Sequence, residues 1–412
     1  MIELLAPAGS LSKLKTAVDF GADAVYAAGK MFGLRTASEN LSFEQMREGV
    51  QYAHERGAKV FVPVNVYPRN YQLAELERYI AELAKTGVDG VIVSDLGAFS
   101  IVRKTAPQLE IHVSTQANTV NKETANMWAS LGAKRIVLAR ELSIFEIEVI
   151  CKSLPEGIET EVFVHGAMCV SYSGRCLLSS YMTGRDSNQG DCAQPCRWKY
   201  ALMEETRPGQ YFPVEEGKDG TFILNSKDLC LIRHIPELVK AGVTSFKIEG
   251  RVKSEFYVAT VVAAYRRAID KYLADPENYV FDEADYEEVT KVSHREYCEG
   301  FFGGTLENGQ VTTSNSYIRG YDFAAIVTGY DEDKKMLKLA QRGKFLKGDT
   351  LDILVPDGEP VIIQADRIIN EQGEEQESAP HSDQTIYIPC DTPVPERSIV
   401  RKAKTVDNSK LL

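Results

Sequence analysis

Five cysteines crowd one part of the chain: Cys169, Cys176, Cys192, Cys196 and Cys230, with six, fifteen, three and thirty-three residues between successive members. The opening residues, Met1-Ile2-Glu3-Leu4-Leu5-Ala6-Pro7, offer neither a basic segment nor a long apolar one, so a cytoplasmic protein is expected. In that compartment a cysteine cluster points to metal or catalysis rather than to disulfides. Four thiolates converging on one point would suit Zn²⁺ or an iron–sulfur cluster. The paired Cys-x2-Cys knuckles of structural zinc are missing, and irregular spacing with long intervals is more usual for a cluster. Unligated cysteines, among them a nucleophile, stay open as the alternative. Cys151, Cys298 and Cys390 lie outside the group and are expected to be incidental thiols.

The elements that must position these residues show in the apolar pattern. Short β-rich runs recur at Glu3–Ala6, Ala24–Ala27, Lys59–Asn65, Gly90–Ser94, Ile111–Thr115, Arg135–Ala139, Glu161–His165 and Ser245–Glu249. Amphipathic stretches such as Ser10–Phe20, Phe43–Arg56, Leu73–Lys85, Lys122–Leu131 and Ile144–Lys152 separate them, and several end on a glycine just before the next strand. The fold class is α/β. Eight such units predict a TIM-like (βα)8 barrel over 1–273, with a long insertion, 166–244, before the last strand. The runner-up, an open doubly wound sheet, lacks a Gly-x-Gly-x-x-Gly after its first strand. Residues 274–320 read as a linking arm. Alternating strands at Ala324–Gly329, Met336–Gln341, Asp349–Val355, Val361–Ile369 and Gln384–Ile388 predict a small antiparallel β-barrel over 321–412. Phe222–Asn225 reads as a further strand inside the insertion. All five clustered cysteines then follow the seventh strand, over the face where barrel enzymes build their active sites.

The net charge of −12 seems to argue against a polyanionic partner. Its distribution does not. Residues 272–290 hold seven acids and no Lys or Arg, and residues 351–412 hold twelve acids against six bases, so the rest of the chain is close to neutral. No apolar run approaches the roughly 20 residues that cross a bilayer, so no membrane is expected.

The segments 161–179 (EVFVHGAMCVSYSGRCLLS), 190–198 (GDCAQPCRW), 225–230 (NSKDLC) and 247–251 (KIEGR), with the opening Leu4–Gly9 and the Arg35 region, resemble the collagenase-like "unassigned peptidase" family over essentially the whole chain. Within it, the length and the C-terminal domain are similar to the prephenate-dependent tRNA uridine hydroxylases, which make 5-hydroxyuridine at the wobble position. The resemblance implies a [4Fe-4S] cluster on Cys169, Cys176, Cys192 and Cys230, with Cys196 the alternative ligand. It implies prephenate as oxygen donor and tRNA as substrate, and it allows a hetero-oligomer with a second family member.

A dicarboxylate such as prephenate calls for guanidinium groups, which pair bidentately with carboxylates. His165, Arg175, Glu249 and Arg251 are the candidate catalytic residues. Arg35, Asn65, Gln116, Arg140, Arg185 and Arg197 are the candidate substrate-binding residues. Asp95 and Asn118 are further polar candidates at strand ends. The bland counterparts are salt bridges to neighbouring acids for the arginines, and a brace for the cysteine loop in the case of His165. Tyr172, Tyr181, Trp198 and Tyr200 lie among Arg175, Arg185, Arg197 and Lys199, where unpaired bases could stack or where the aromatics merely shield the cysteines. No His-Glu-x-x-His and no Gly-x-Ser-x-Gly is present. A cysteine or metallo-peptidase and a non-catalytic subunit of a hydroxylase complex are the competing readings.

Overall fold

The computed structural model describes residues 2–34, 39–169, 171–172, 174–198, 202–203, 211–212, 226–304 and 317–404, the side chains of 197, 202–203 and 211–212 excepted. Seven strands, β1 (Glu3–Ala8), β2 (Ala24–Ala27), β3 (Lys59–Val64), β4 (Gly90–Val93), β5 (Glu110–Val113), β6 (Arg135–Val137) and β7 (Glu159–Ala167), run parallel in chain order. Six helices alternate with them: α1 (Leu11–Asp19), α2 (Phe43–His54), α3 (Leu73–Ala84), α4 (Leu96–Thr105), α5 (Lys122–Ser130) and α6 (Ile144–Ser153). An eighth strand, Ser245–Ile248, pairs in parallel with β7 on one side and β1 on the other, so the sheet closes as the expected (βα)8 barrel.

Local chemistry explains the punctuation. Ser10, Ser42, Asp95, Asn121 and Ser143 each accept a backbone N–H of the first helical turn, removing orphan donors there. Gly21, Gly57, Gly87 and Gly132, which follow helices, all have positive φ, the conformation that a Cβ resists. Between sheet and helices lies a continuous apolar layer that includes Leu4, Val25, Val60, Val91 and Ile136.

β7 is nine residues long, and its two ends do different work. Glu159–Glu161 pairs with β6 inside the barrel. Gly166 and Ala167 project beyond it and pair antiparallel with the added strand Asp228–Cys230, which in turn carries Tyr297–Cys298. Neither addition was apparent from the sequence pattern. The stretch read only as a link also contains a helix, Glu283–Thr290. The proposed strand Phe222–Asn225 lies outside the described residues.

The C-terminal strands form an antiparallel half-barrel of eight strands with a separate pair, Phe345–Leu346 and Ser378–Ala379. The run read as one strand, Val361–Ile369, is two: Val361–Gln364 and Ile368–Asn370. The break sends its halves toward opposite ends of the sheet, so no ladder joins those ends among the described residues. The last strand, Ile399–Ala403, was not foreseen and occupies the middle of the sheet. Among the described residues no helix is long and apolar enough to cross a membrane.

Candidate active site

The barrel interior is unusually charged. Arg135, near the start of β6, is almost fully buried and hydrogen-bonds Glu3, Glu159 and Glu161 as well as the Ser245 hydroxyl. Glu161 has no exposed surface, and its other oxygen lies 2.5 Å from the Lys247 ammonium. Burial alone would raise the Glu161 carboxyl, but Lys247 and Arg135 hold it below the usual range. Burial pulls Lys247 below an ordinary lysine, with Glu161 opposing that pull. Beside the charges inside the barrel lies an apolar cluster of Leu5, Ala24, Tyr26, Phe61 and Ile92, with Leu5 in register with Lys247. The Tyr26 hydroxyl donates to Ile248 O at 2.8 Å, and its ring lies 4.5 Å from the Lys247 Nζ.

Over this floor opens a cavity of about 150 Å³ at the C-terminal ends of the strands. Asn65, Gln116, Arg140, Glu249 and Arg251, all singled out from the sequence, line it. So do Cys169, Cys176, Cys192 and Cys196. Arg140 donates to Ala167 O at 2.6 Å and lies 3.8 Å above the Phe163 ring, which fixes its guanidinium against the wall. Lys247 was missed as a lining residue. The signal was present as charges at alternate positions, Glu159-Thr-Glu161 and Lys247-Ile-Glu249, the period that faces one side of a sheet.

The cysteine loop is seated by short contacts. Gln189 Nε2 donates to Tyr67 O at 2.7 Å, and the Tyr67 hydroxyl donates to Gln116 O at 2.5 Å. Gly174 has φ +72°, and a Cβ there would stand 2.6 Å from Gln116 Oε1 and 2.9 Å from the Tyr67 hydroxyl, so only glycine lets the loop lie this close.

The structure separates Arg175, Arg185 and His165 from the cavity wall. Arg175 is exposed and is not part of its wall. Arg185 is exposed and holds Asp191 in a 2.6 Å ion pair, as the bland reading had it. Arg35 and the Arg197 side chain lie outside the described residues, as do Lys199 and Tyr200. His165 is buried on the far side of the β7 end, with its ring centroid 5.1 Å from Tyr297 and 5.5 Å from Tyr265. The register shift between Lys247 and Ile248 turns it there: Phe163 pairs with Lys247, yet His165 rather than Val164 pairs with Ile248. Burial, with the charges of His294 and Lys253, lowers its pKa to about 3, so it is neutral at physiological pH.

Cys230 is also away from the cavity wall. It pairs in register with His165 and is buried beside Tyr265, and burial pushes its thiol up to about 11. The cavity and the implied ligand set therefore share Cys169, Cys176 and Cys192 and part at the fourth member, Cys196 in the one and Cys230 in the other. The donor types suit an iron–sulfur cluster. Among the described residues, no three His, Cys, Asp or Glu side chains stand gathered for a metal ion.

Residues 9–312 match the model for peptidase family U32, and residues 319–401 match that for the U32 C-terminal domain. The chain belongs to peptidase family U32. This U32 chain is 41% identical over 403 residues to tRNA hydroxylation protein P1 of Bacillus subtilis, covering 98% of this chain and 95% of that one. It is 36% identical to tRNA hydroxylation protein P of Escherichia coli, over 94% of this chain and 93% of that one. It is also 39% identical to the E. coli 23S rRNA 5-hydroxycytidine C2501 synthase, over 66% of this U32 chain and 40% of that protein.

Proposed function

We propose that this U32 protein hydroxylates RNA, with the C5 position of the tRNA wobble uridine as target and prephenate as oxygen donor. The observation that carries the reading is the cavity wall: Arg140, Lys247 and Arg251 face one space with a single carboxylate, Glu249, beside four cysteines. Lys247 is already matched by Glu161, so among the described residues the two guanidinium groups, Arg140 and Arg251, stand against one carboxylate, and paired guanidinium groups favour a small dicarboxylate. The names of the relatives supply the RNA.

Arg140 and Arg251 bind the carboxylates of the donor and fix its orientation. Lys247 is held in place at the floor by its ion pair with Glu161. Tyr26 and Phe163 give the floor an apolar surface that limits water near the reacting carbon. Replacing C5–H by C5–OH oxidises the base by two electrons: the donor's C–OH bond breaks, and the donor takes up the electron pair and the proton that leaves C5, which Glu249 relays. Cys169, Cys176 and Cys192, with Cys196 or Cys230, would hold a [4Fe-4S] cluster, which supplies one-electron transfer when bound.

Histidine is absent from the cavity wall among the described residues, so Cys169 has no imidazole there to activate it as a peptidase nucleophile would require. The test is anaerobic incubation of iron-loaded protein with undermodified tRNA and prephenate, read by nucleoside mass spectrometry. Prephenate-dependent 5-hydroxyuridine is expected. Gelatin cleavage abolished by Cys169→Ala, without any modified nucleoside, would refute the reading.

A further inference from the structure

Of the five large aromatic side chains exposed among the described residues, four lie in the loops over the cavity, and Phe145 on α6 is the fifth. Tyr71 is 83% exposed, on the short turn Asn70–Gln72 after β3. Tyr181 is 84% exposed, on the helix Leu178–Thr183 of the cysteine loop. Tyr172 and Trp198, at 47% and 43%, belong to the same loop. Leu96 follows β4 on the same barrel face and is 58% exposed. Water-facing aromatic rings cost free energy, and a cluster of them marks a contact surface.

Their neighbours indicate what they contact. Arg69 precedes Tyr71 by two residues, Arg175 follows Tyr172 by three, and Arg185 follows Tyr181 by four, and all three arginines are exposed. Rings interleaved with cations fit a chain that carries both flat faces and negative charge. A protein partner would more often meet an apolar centre with a polar rim. The loop and the β3 turn also form one platform. Gln189 bonds Tyr67 O, four residues before Tyr71, so the two are held in fixed relation. The platform continues into the cavity, since Tyr172 belongs to both.

We propose that this rim is a stacking platform for unpaired nucleotides. Bases flanking the target lie on Tyr71 and Tyr181, and their phosphates meet Arg69 and Arg175, while the target base enters the cavity. The proposal rests on the RNA reading above and adds the recognition of single-stranded rather than paired RNA. A splayed base offers a face to an aromatic ring, and a base held in a duplex does not.

The test uses full-length protein, a fluorescein-labelled anticodon stem-loop and a fully paired, blunt-ended RNA duplex of similar length. Fluorescence anisotropy is read at constant salt, because phosphate contacts are screened. The wild type is expected to prefer the stem-loop. Tyr71→Ala and Tyr181→Ala are each expected to weaken its binding by about 5- to 150-fold, the range for loss of one stacked base. Tyr71→Phe and Tyr181→Phe keep the ring and are expected to stay within about 3-fold of wild type, since stacking needs the face and not the hydroxyl. Wild-type preference for the loop with undiminished binding by both alanine variants overturns the platform and leaves the RNA reading standing. Failure of the wild type to bind either RNA overturns both.

Discussion

Lys247→Met should destabilise the barrel strongly, and adding Glu161→Gln should return much of the loss. The Glu161 carboxylate is fully buried between two cations, Arg135 Nη1 at 3.1 Å and Lys247 Nζ at 2.5 Å. Methionine keeps the length of the lysine stem and removes the charge. Arg135 keeps its 3.1 Å bond to Glu161 but shares its charge with Glu3 and Glu159, so it compensates only in part. Stranding one member of a buried pair costs about 3–5 kcal/mol. For a barrel of this size that is a fall in Tm of about 6–20 °C. In the double variant the stranded charge is gone, and recovery of about half the loss is expected. The assay is urea unfolding followed by the fluorescence of Trp128, a buried residue on α5 packed against Phe99, with Trp198 replaced by Phe so that one signal remains. The pH dependence carries the same sign. Because the Glu161 pKa is lowered on folding, its contribution is present above the unfolded value, near 4.3, and disappears as pH falls through the folded one. A Lys247→Met protein within about 1 kcal/mol of wild type, or a double variant no better than the single, would refute the reasoning.

Other predictions follow from the same geometry. The His165 pKa falls from 6.5 to about 3 on folding, so stability is full above pH 6.5 and should decline by about 1.4 kcal/mol per pH unit below it. His165→Gln should flatten that slope in urea titrations, and an unchanged slope would show that the imidazole is not the group responsible. Serine at Cys169, Cys176 or Cys192 should abolish iron and sulfide binding in anaerobically prepared protein, and the same analysis on Cys196→Ser and Cys230→Ser identifies the fourth ligand by which of the two loses iron. Arg140→Met and Arg251→Met should each raise the KM for the dicarboxylate donor about 10- to 150-fold, the cost of one charge-assisted hydrogen bond. Isotope-labelled substrate kinetics would show whether kcat stays within a few-fold.

The barrel could be read from the sequence because its signals are local. Caps such as Ser42 and Ser143, the helix-terminating Gly21 and Gly57, and the four-residue run Ala24–Ala27 each act within a few residues of themselves. The cavity wall was legible to the extent that it sits at strand ends, which placed Asn65, Gln116, Arg140 and Arg251. His165 was misread for a physical reason: a register shift at Lys247/Ile248 reverses the side it faces, and that shift depends on pairing between strands distant in sequence. Cys230 depends likewise on an antiparallel partner, β7, more than sixty residues away. Lys247 went unassigned because its partner, Glu161, stands on the neighbouring strand but 86 residues away in sequence.

The attachment of the C-terminal sheet has a mechanical consequence. Arg401, without exposed surface, bonds Glu288 of the helix Glu283–Thr290 and Asp352 of its own sheet, and Leu354 and Ile399 are packed into the barrel's apolar layer. The two parts therefore behave as the fixed jaws of a caliper rather than as beads on a string. The distance between their surfaces is thus set by the fold and not by a linker.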